Sequence, residues 1–173
     1  MFACISYFLC GRKVEKEMKK VITRIILWVL VASLMVFIFA MSDQPAEESS
    51  ATSGNTLKAI FKIIYPGFED LDETQQQSII DQNQHFIRKT AHFSLYALMG
   101  ILISLAMAQH TKRFFFVSYI IGTLYATSDE IHQLYVPGRS GQISDVLLDS
   151  SGVLLGCIII FIIYRSVNRK KAL

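Results

Sequence analysis

Four long apolar stretches leave this chain few folds to choose from. They run from Val21 to Met41, from about Thr90 to Ala108, from Phe114 to about Tyr135 and from about Val146 to Tyr164. Each approaches or exceeds the ~20 mostly apolar residues that cross a hydrocarbon core as a helix. Inside lipid a segment must satisfy its own backbone hydrogen bonds, which a helix does and an open strand does not. Hydrophobic residues make up 52% of the 173 residues, charged residues only 18%, and the mean hydropathy is +0.40. A lipid solvent accounts for that much apolar surface more simply than a soluble core. The expected fold is therefore all-α, an integral membrane four-helix bundle.

Basic residues orient the bundle. Arg12, Lys13, Lys16, Lys19, Lys20 and Arg24 stand before or at the start of the first stretch. Lys112 and Arg113 join the second and third, and Arg165, Arg169, Lys170 and Lys171 follow the fourth. One arrangement puts all three clusters on the cytoplasmic side, with both termini cytoplasmic. Only Lys58, Lys62, Arg88, Lys89 and Arg139 then lie opposite. The net charge of +3 and the lack of a basic stripe interleaved with aromatics give no reason to expect nucleic acid.

The chain divides accordingly. Residues 1–17 read as a non-native extension, because Met18-Lys19-Lys20 before an apolar helix resembles an ordinary start. The run from Phe2 to Cys10 is too short to span and lacks a signal peptide's charged start and cleavage site. Residues 18–41 form the first membrane helix. Residues 42–89 form an acidic extracytoplasmic loop or cap; eight acidic residues lie between Ser42 and Gln84. Within it, short helices are expected near Thr56–Ile64 and Glu73–Ile87, with Pro66-Gly67 as a turn. Residues 90–164 hold the remaining three helices, and 165–173 a basic cytoplasmic tail. Cys4, Cys10 and Cys157 make neither a disulfide framework nor a zinc pair.

Ionisable residues inside membrane helices are costly and usually face a partner, a cavity or a path. Here they fall in stripes. His85, Lys89, His92 and Tyr96 share one helical face. Tyr125, Asp129 and His132 share another, with Glu130 about 100° round. Asp145, Asp149, Gly152 and Gly156 share a third. Under the topology above, all three reach the outer leaflet. Val136 to Gln142 is a turn through Pro137 and Gly138 that carries Arg139, and Gly141 in it would let a ligand approach the backbone. Ser144 or Asp145 would cap the following helix, whose N-terminus favours an anion such as phosphate. Tyr96, Tyr125 and Tyr135 are expected as interfacial anchors. Gly152 and Gly156 suggest close helix packing, with a homo-oligomer through them as the alternative.

These blocks resemble a known family. Lys89-Thr90-Ala91-His92-Phe93-Ser94-Leu95-Tyr96 is similar to the first block of the VanZ-like membrane proteins. Ser128 to Gln133, Pro137-Gly138-Arg139, Ser144-Asp145 and Asp149 to Gly152 are similar to the second, and Ser42-Asp43-Gln44-Pro45 to a third, weaker element. The resemblance covers most of the chain from about Met18. It implies a multi-pass protein of the bacterial cytoplasmic membrane, acting at the cell envelope, in a family named for teicoplanin resistance. It implies no particular reaction.

Three functions fit the residues. Lys89, His92 and Arg139 could hold an anionic lipid-linked cell-wall precursor, another envelope lipid or a glycopeptide, oriented by Asp129, Glu130, His132, Gln133, Asp145 and Asp149. Glu130, Asp129 and His92 could instead serve as the acid/base set of a membrane-embedded hydrolase or transferase. Ion pairs among the same residues could simply brace the helices. No cofactor is assigned. Asp129 and His132, at i and i+3, are a workable ligand pair for zinc or manganese, but no H-E-x-x-H motif accompanies them.

Overall fold

The computed structural model describes the backbone of residues 2–170 and the side chains of Glu15 and of residues 17–170. Met1 and 171–173 fall outside it. The start expected at Met18 concerns residues whose side chains lie mostly outside that description.

Five helices carry the fold: α1 (Phe2–Ser42), α2 (Ala46–Ile64), α3 (Glu73–Met107), α4 (Phe114–Gln133) and α5 (Ile143–Lys170). A 3-10 turn, Phe68–Asp70, separates α2 from α3. Among the described residues, three helical stretches are long and apolar enough to cross a membrane: Glu17–Ser42, Glu73–Met107 and Ile143–Lys170. α4 is not among them. Its apolar sequence ends in Asp129, Glu130, His132 and Gln133, which take up much of the last two turns of a 20-residue helix.

Local signals place the breaks. α1 stops three residues before Pro45, and α2 follows that proline with Glu47 and Glu48 in its first turn, where the helix dipole favours them. Gly67 takes a φ of +85° to reverse the chain after Pro66. Asp72 caps α3, accepting the Gln75 N–H at 2.8 Å, and this bond holds its carboxyl below the ordinary value. Gly138, at a φ of +75°, turns the chain between α4 and α5.

The residues between α1 and the second membrane stretch are more regular than a loop. α2 begins ten residues earlier than the expected Thr56 helix. The expected Glu73–Ile87 helix does not end; it runs unbroken into the second membrane stretch as α3. α2 seats on this extension through Leu57, Phe68 and Ile80, with Phe61, Leu71, Ile79 and Ile87 packed around them.

The main core lies among α1, α3, α4 and α5. Val31, Ile38, Tyr96, Met99, Ile103, Ala126, Val153 and Cys157 are buried together. α3 and α5 approach at backbone distance. A Cβ at Gly152 would stand 2.5 Å from the Phe93 carbonyl oxygen, and one at Gly156 would land on that of Ala97. The small-residue stripe is thus used inside the chain. Away from this core, large apolar side chains such as Val29, Val36, Phe116, Ile120, Leu124 and Ile162 are exposed.

Candidate functional site

The three polar stripes meet at one end of the helix assembly, where the end of α1 joins them. Asp129 is 2% exposed, and its Oδ2 accepts the Ser42 hydroxyl at 2.8 Å and the Tyr96 hydroxyl at 3.1 Å. Ser42 in turn accepts the Gln133 side-chain N–H at 2.8 Å. Tyr125 donates to the Met35 carbonyl at 2.6 Å. Tyr96, fully buried, is therefore not an interfacial anchor; Tyr125 is half-buried. A phenol drawn into the core needs an acceptor, and each has found one. Tyr135 is 82% exposed.

Around this buried knot lies a cavity of about 260 Å³. Lys89, His92, Glu130, Gln133, Arg139, Asp145 and Asp149 all line it. Asp129 and His132 do not. Asp129 lies behind the wall, and His132 meets Asp43 at 3.0 Å and stacks on Phe39 with ring centroids 4.4 Å apart. Asp129 and Glu130, though adjacent, serve different neighbours, because successive helical side chains diverge by about 100°. Glu130 accepts the Gln142 N–H at 2.6 Å.

Some members pair off. Lys89 and Asp145 form a 2.7 Å ion pair between α3 and α5. Asp145 lies within the first turn of α5, not at a cap. Arg139 donates through Nε to the Gln44 carbonyl at 2.9 Å and through Nη2 to that of Met41 at 3.2 Å. These carbonyls lie at and just beyond the negative end of the α1 dipole. The Ala46 N–H reaches the Pro137 carbonyl at 3.2 Å, so the turn carrying Arg139 is fastened to the α1–α2 junction. Burial first, and then the neighbouring Arg88 charge, pulls the Arg139 guanidinium below its ordinary value. It remains a cation at any physiological pH.

Arg88 and Ser42 complete the site, and sequence reasoning gave neither a role. Arg88 counted only as one of five basic residues on its side. Yet it lines the polar cavity and, with His92 and Arg139, a second cavity of about 410 Å³. That second space is walled largely by apolar groups, including Phe37, Met41, Ala91 and Leu95. No carboxylate lies within ion-pair distance of Arg88 or Arg139 among the described residues. The available signal for Arg88 was its place one residue before the Lys89 stripe.

Chemically, the site offers two guanidinium groups toward an anion and three cavity-lining carboxyl groups, Glu130, Asp145 and Asp149, of which Asp145 is paired with Lys89. It also gathers donors that could hold a metal. His92, Asp129 and Asp149 each place one ligand atom within 4.8 Å of the others. His132, the expected partner of Asp129, is not part of this group.

No curated protein and no solved structure matches the chain. The model of one protein family, VanZ/LLP1, matches residues 27–164. That span holds every residue of the polar site, from the Ser42 hub to Asp149, and it reaches from within α1 to within α5. The chain belongs to the VanZ/LLP1 family.

Proposed function

We propose that this chain is a multi-pass protein of the bacterial cytoplasmic membrane that binds the anionic head group of an envelope lipid or lipid-linked precursor in an outward-facing site. By that binding it lowers susceptibility to teicoplanin-type glycopeptides. One observation carries the reading: the polar cavity and the apolar groove beside it share Arg88, His92 and Arg139. An amphiphile needs such a junction, with cations at the head group and an apolar wall along the chain. Two guanidinium groups without carboxylate partners suit phosphate or carboxylate, which they engage in a planar fork.

A four-crossing topology with both termini cytoplasmic goes with this reading. Its support is the exposed stripe Phe116, Ile120 and Leu124, which gives α4 an apolar outer face despite its polar end. The clustering of basic residues supports the same arrangement. A second reading, hydrolysis or group transfer on the bound lipid, is favoured by Glu130, which is 5% exposed and lines the same cavity.

Lipid analysis of the purified protein tests both. An anionic lipid should copurify, and Arg88→Ala or Arg139→Ala should each weaken its retention about ten- to a hundredfold, the value of one charge-assisted hydrogen bond. Glycopeptide tolerance should fall with it. Glu130→Gln should keep the lipid; lost tolerance with lipid retained would favour the reaction. Unchanged lipid content and tolerance in the double arginine variant, still present in the membrane, would rule the binding site out.

A further inference from the structure

We infer that His92, Asp129 and Asp149 form a binding site for a divalent transition-metal ion, zinc or manganese, in the wall of the polar cavity. The three residues come from α3, α4 and α5. One donor atom from each lies within 4.8 Å of the other two. A cation about 2.0–2.6 Å from its ligands holds them roughly 3–5 Å apart. His92 Nδ1 and Asp149 Oδ2 are 3.9 Å apart, too far for a hydrogen bond and suitable for two atoms on one ion.

A second, independent observation points to a ligand. Asp129 and Asp149 are 2% and 3% exposed, and Oδ1 of each is buried without any hydrogen-bond partner. A buried carboxylate oxygen left unsatisfied is expensive, and two in one cluster are more so. Among the described residues no lysine or arginine lies within ion-pair distance of either: Lys89 pairs with Asp145, and Arg139 binds main-chain carbonyls. A shared cation would satisfy both carboxylates at once.

The surroundings are those of a ligand set held in place. Ser42 and Tyr96 both donate to Oδ2 of Asp129, which fixes that carboxylate and leaves Oδ1 uncommitted. Such outer hydrogen bonds orient metal ligands and tune their affinity. An imidazole with two carboxylates suits zinc or manganese; magnesium and calcium favour all-oxygen sets. Three protein ligands leave coordination positions open, and His92 and Asp149 both line the cavity. If the lipid reading holds, a phosphate oxygen could complete the shell, but the site stands on the three side chains alone.

The test uses full-length protein purified in detergent without chelator. Elemental analysis should find about one zinc or manganese per chain. After chelation, zinc or manganese should restore the thermal midpoint, while magnesium and calcium should not. Asp149→Asn should abolish stoichiometric binding, and Tyr96→Phe should weaken it about ten- to a hundredfold. Because a buried Asp149→Asn could misfold, His92→Gln, at a partly exposed side chain, provides the second variant. Metal held at wild-type affinity by His92→Gln would overturn the proposal. So would a wild-type protein with only trace metal and no midpoint shift on titration. Metal content is read without reference to lipid, so this proposal and the lipid-binding reading fail separately.

Discussion

Ser42 shows how one hydroxyl can frame a site. It is fully buried at the end of α1, donates to Asp129 and accepts from Gln133. A hydroxyl has one proton and two lone pairs, so both roles fit on one oxygen. Ser42→Ala should lower stability by about 1–3 kcal/mol, because Asp129 loses a donor and Gln133 an acceptor in a buried place. Thermal unfolding in detergent would measure it, and a melt like the wild type's would remove Ser42 from the frame. The sequence already showed most of the cavity, since Lys89, His92, Glu130, Arg139, Asp145 and Asp149 are conspicuous among apolar neighbours. It marked Ser42 only through the weak Ser42-Asp43-Gln44-Pro45 element and hid its role, because its partner lies 87 residues away. It also hid the split between Asp129 and Glu130, which depends on which helix packs against each side of α4.

At the scale of elements, the α3–α5 contact matters most. Gly152 and Gly156 bring the helices close enough that a side chain would strike backbone, which cannot move aside as a rotamer can. Gly156→Val should therefore cost at least the ~1–3 kcal/mol of ordinary overpacking, and should separate Lys89 from Asp145 and His92 from Asp149. Loss of folded protein, or a sharply lowered melting midpoint, is the expected result. A Gly156→Val protein as stable as the wild type would mean the helices pack differently. This pairing was half legible: the four-residue spacing suggested close packing, but not whether the partner was α3 or a second copy. The continuity of α3 was legible only in part: the face shared by His85, Lys89, His92 and Tyr96 crosses the boundary, but the expected lead-in helix stopped at Ile87. Between Gln75 and Lys89 the apolar residues are Ile79, Ile80, Phe86 and Ile87, and the rest are polar. Nothing local marks where a helix on the protein surface becomes one in a bilayer.

For the whole molecule, α4 decides the plan. If it crosses, the linker at residues 108–113 and the turn at residues 134–142 lie on opposite sides. A cysteine replacing the exposed Tyr135 should react with a membrane-impermeant thiol reagent from outside intact cells. One replacing the exposed Lys112, at the other end of α4, should react only after lysis. Labelling of both from the same side would overturn the four-crossing topology. The stretch was legible as apolar from Phe114, yet its last two turns are polar because they furnish the site.

The unbroken run of α3 limits how such a chain can change in length. At 1.5 Å per residue it is about 52 Å long, well beyond a hydrocarbon core of about 30 Å. Its N-terminal turns carry the seat for α2, and the next turns carry His85, Arg88, Lys89 and His92. Adding or deleting one residue between Ile80 and His85 would rotate the two parts by about 100° about a common axis. The α2 seat would then turn away from the cavity it borders. Insertions and deletions can be absorbed instead in the linker at 108–113, where no phase is shared; residues 65–72 carry Phe68 and Leu71 of the α2 seat. Chains built on this plan are free to vary there and are held to a fixed count of residues along α3.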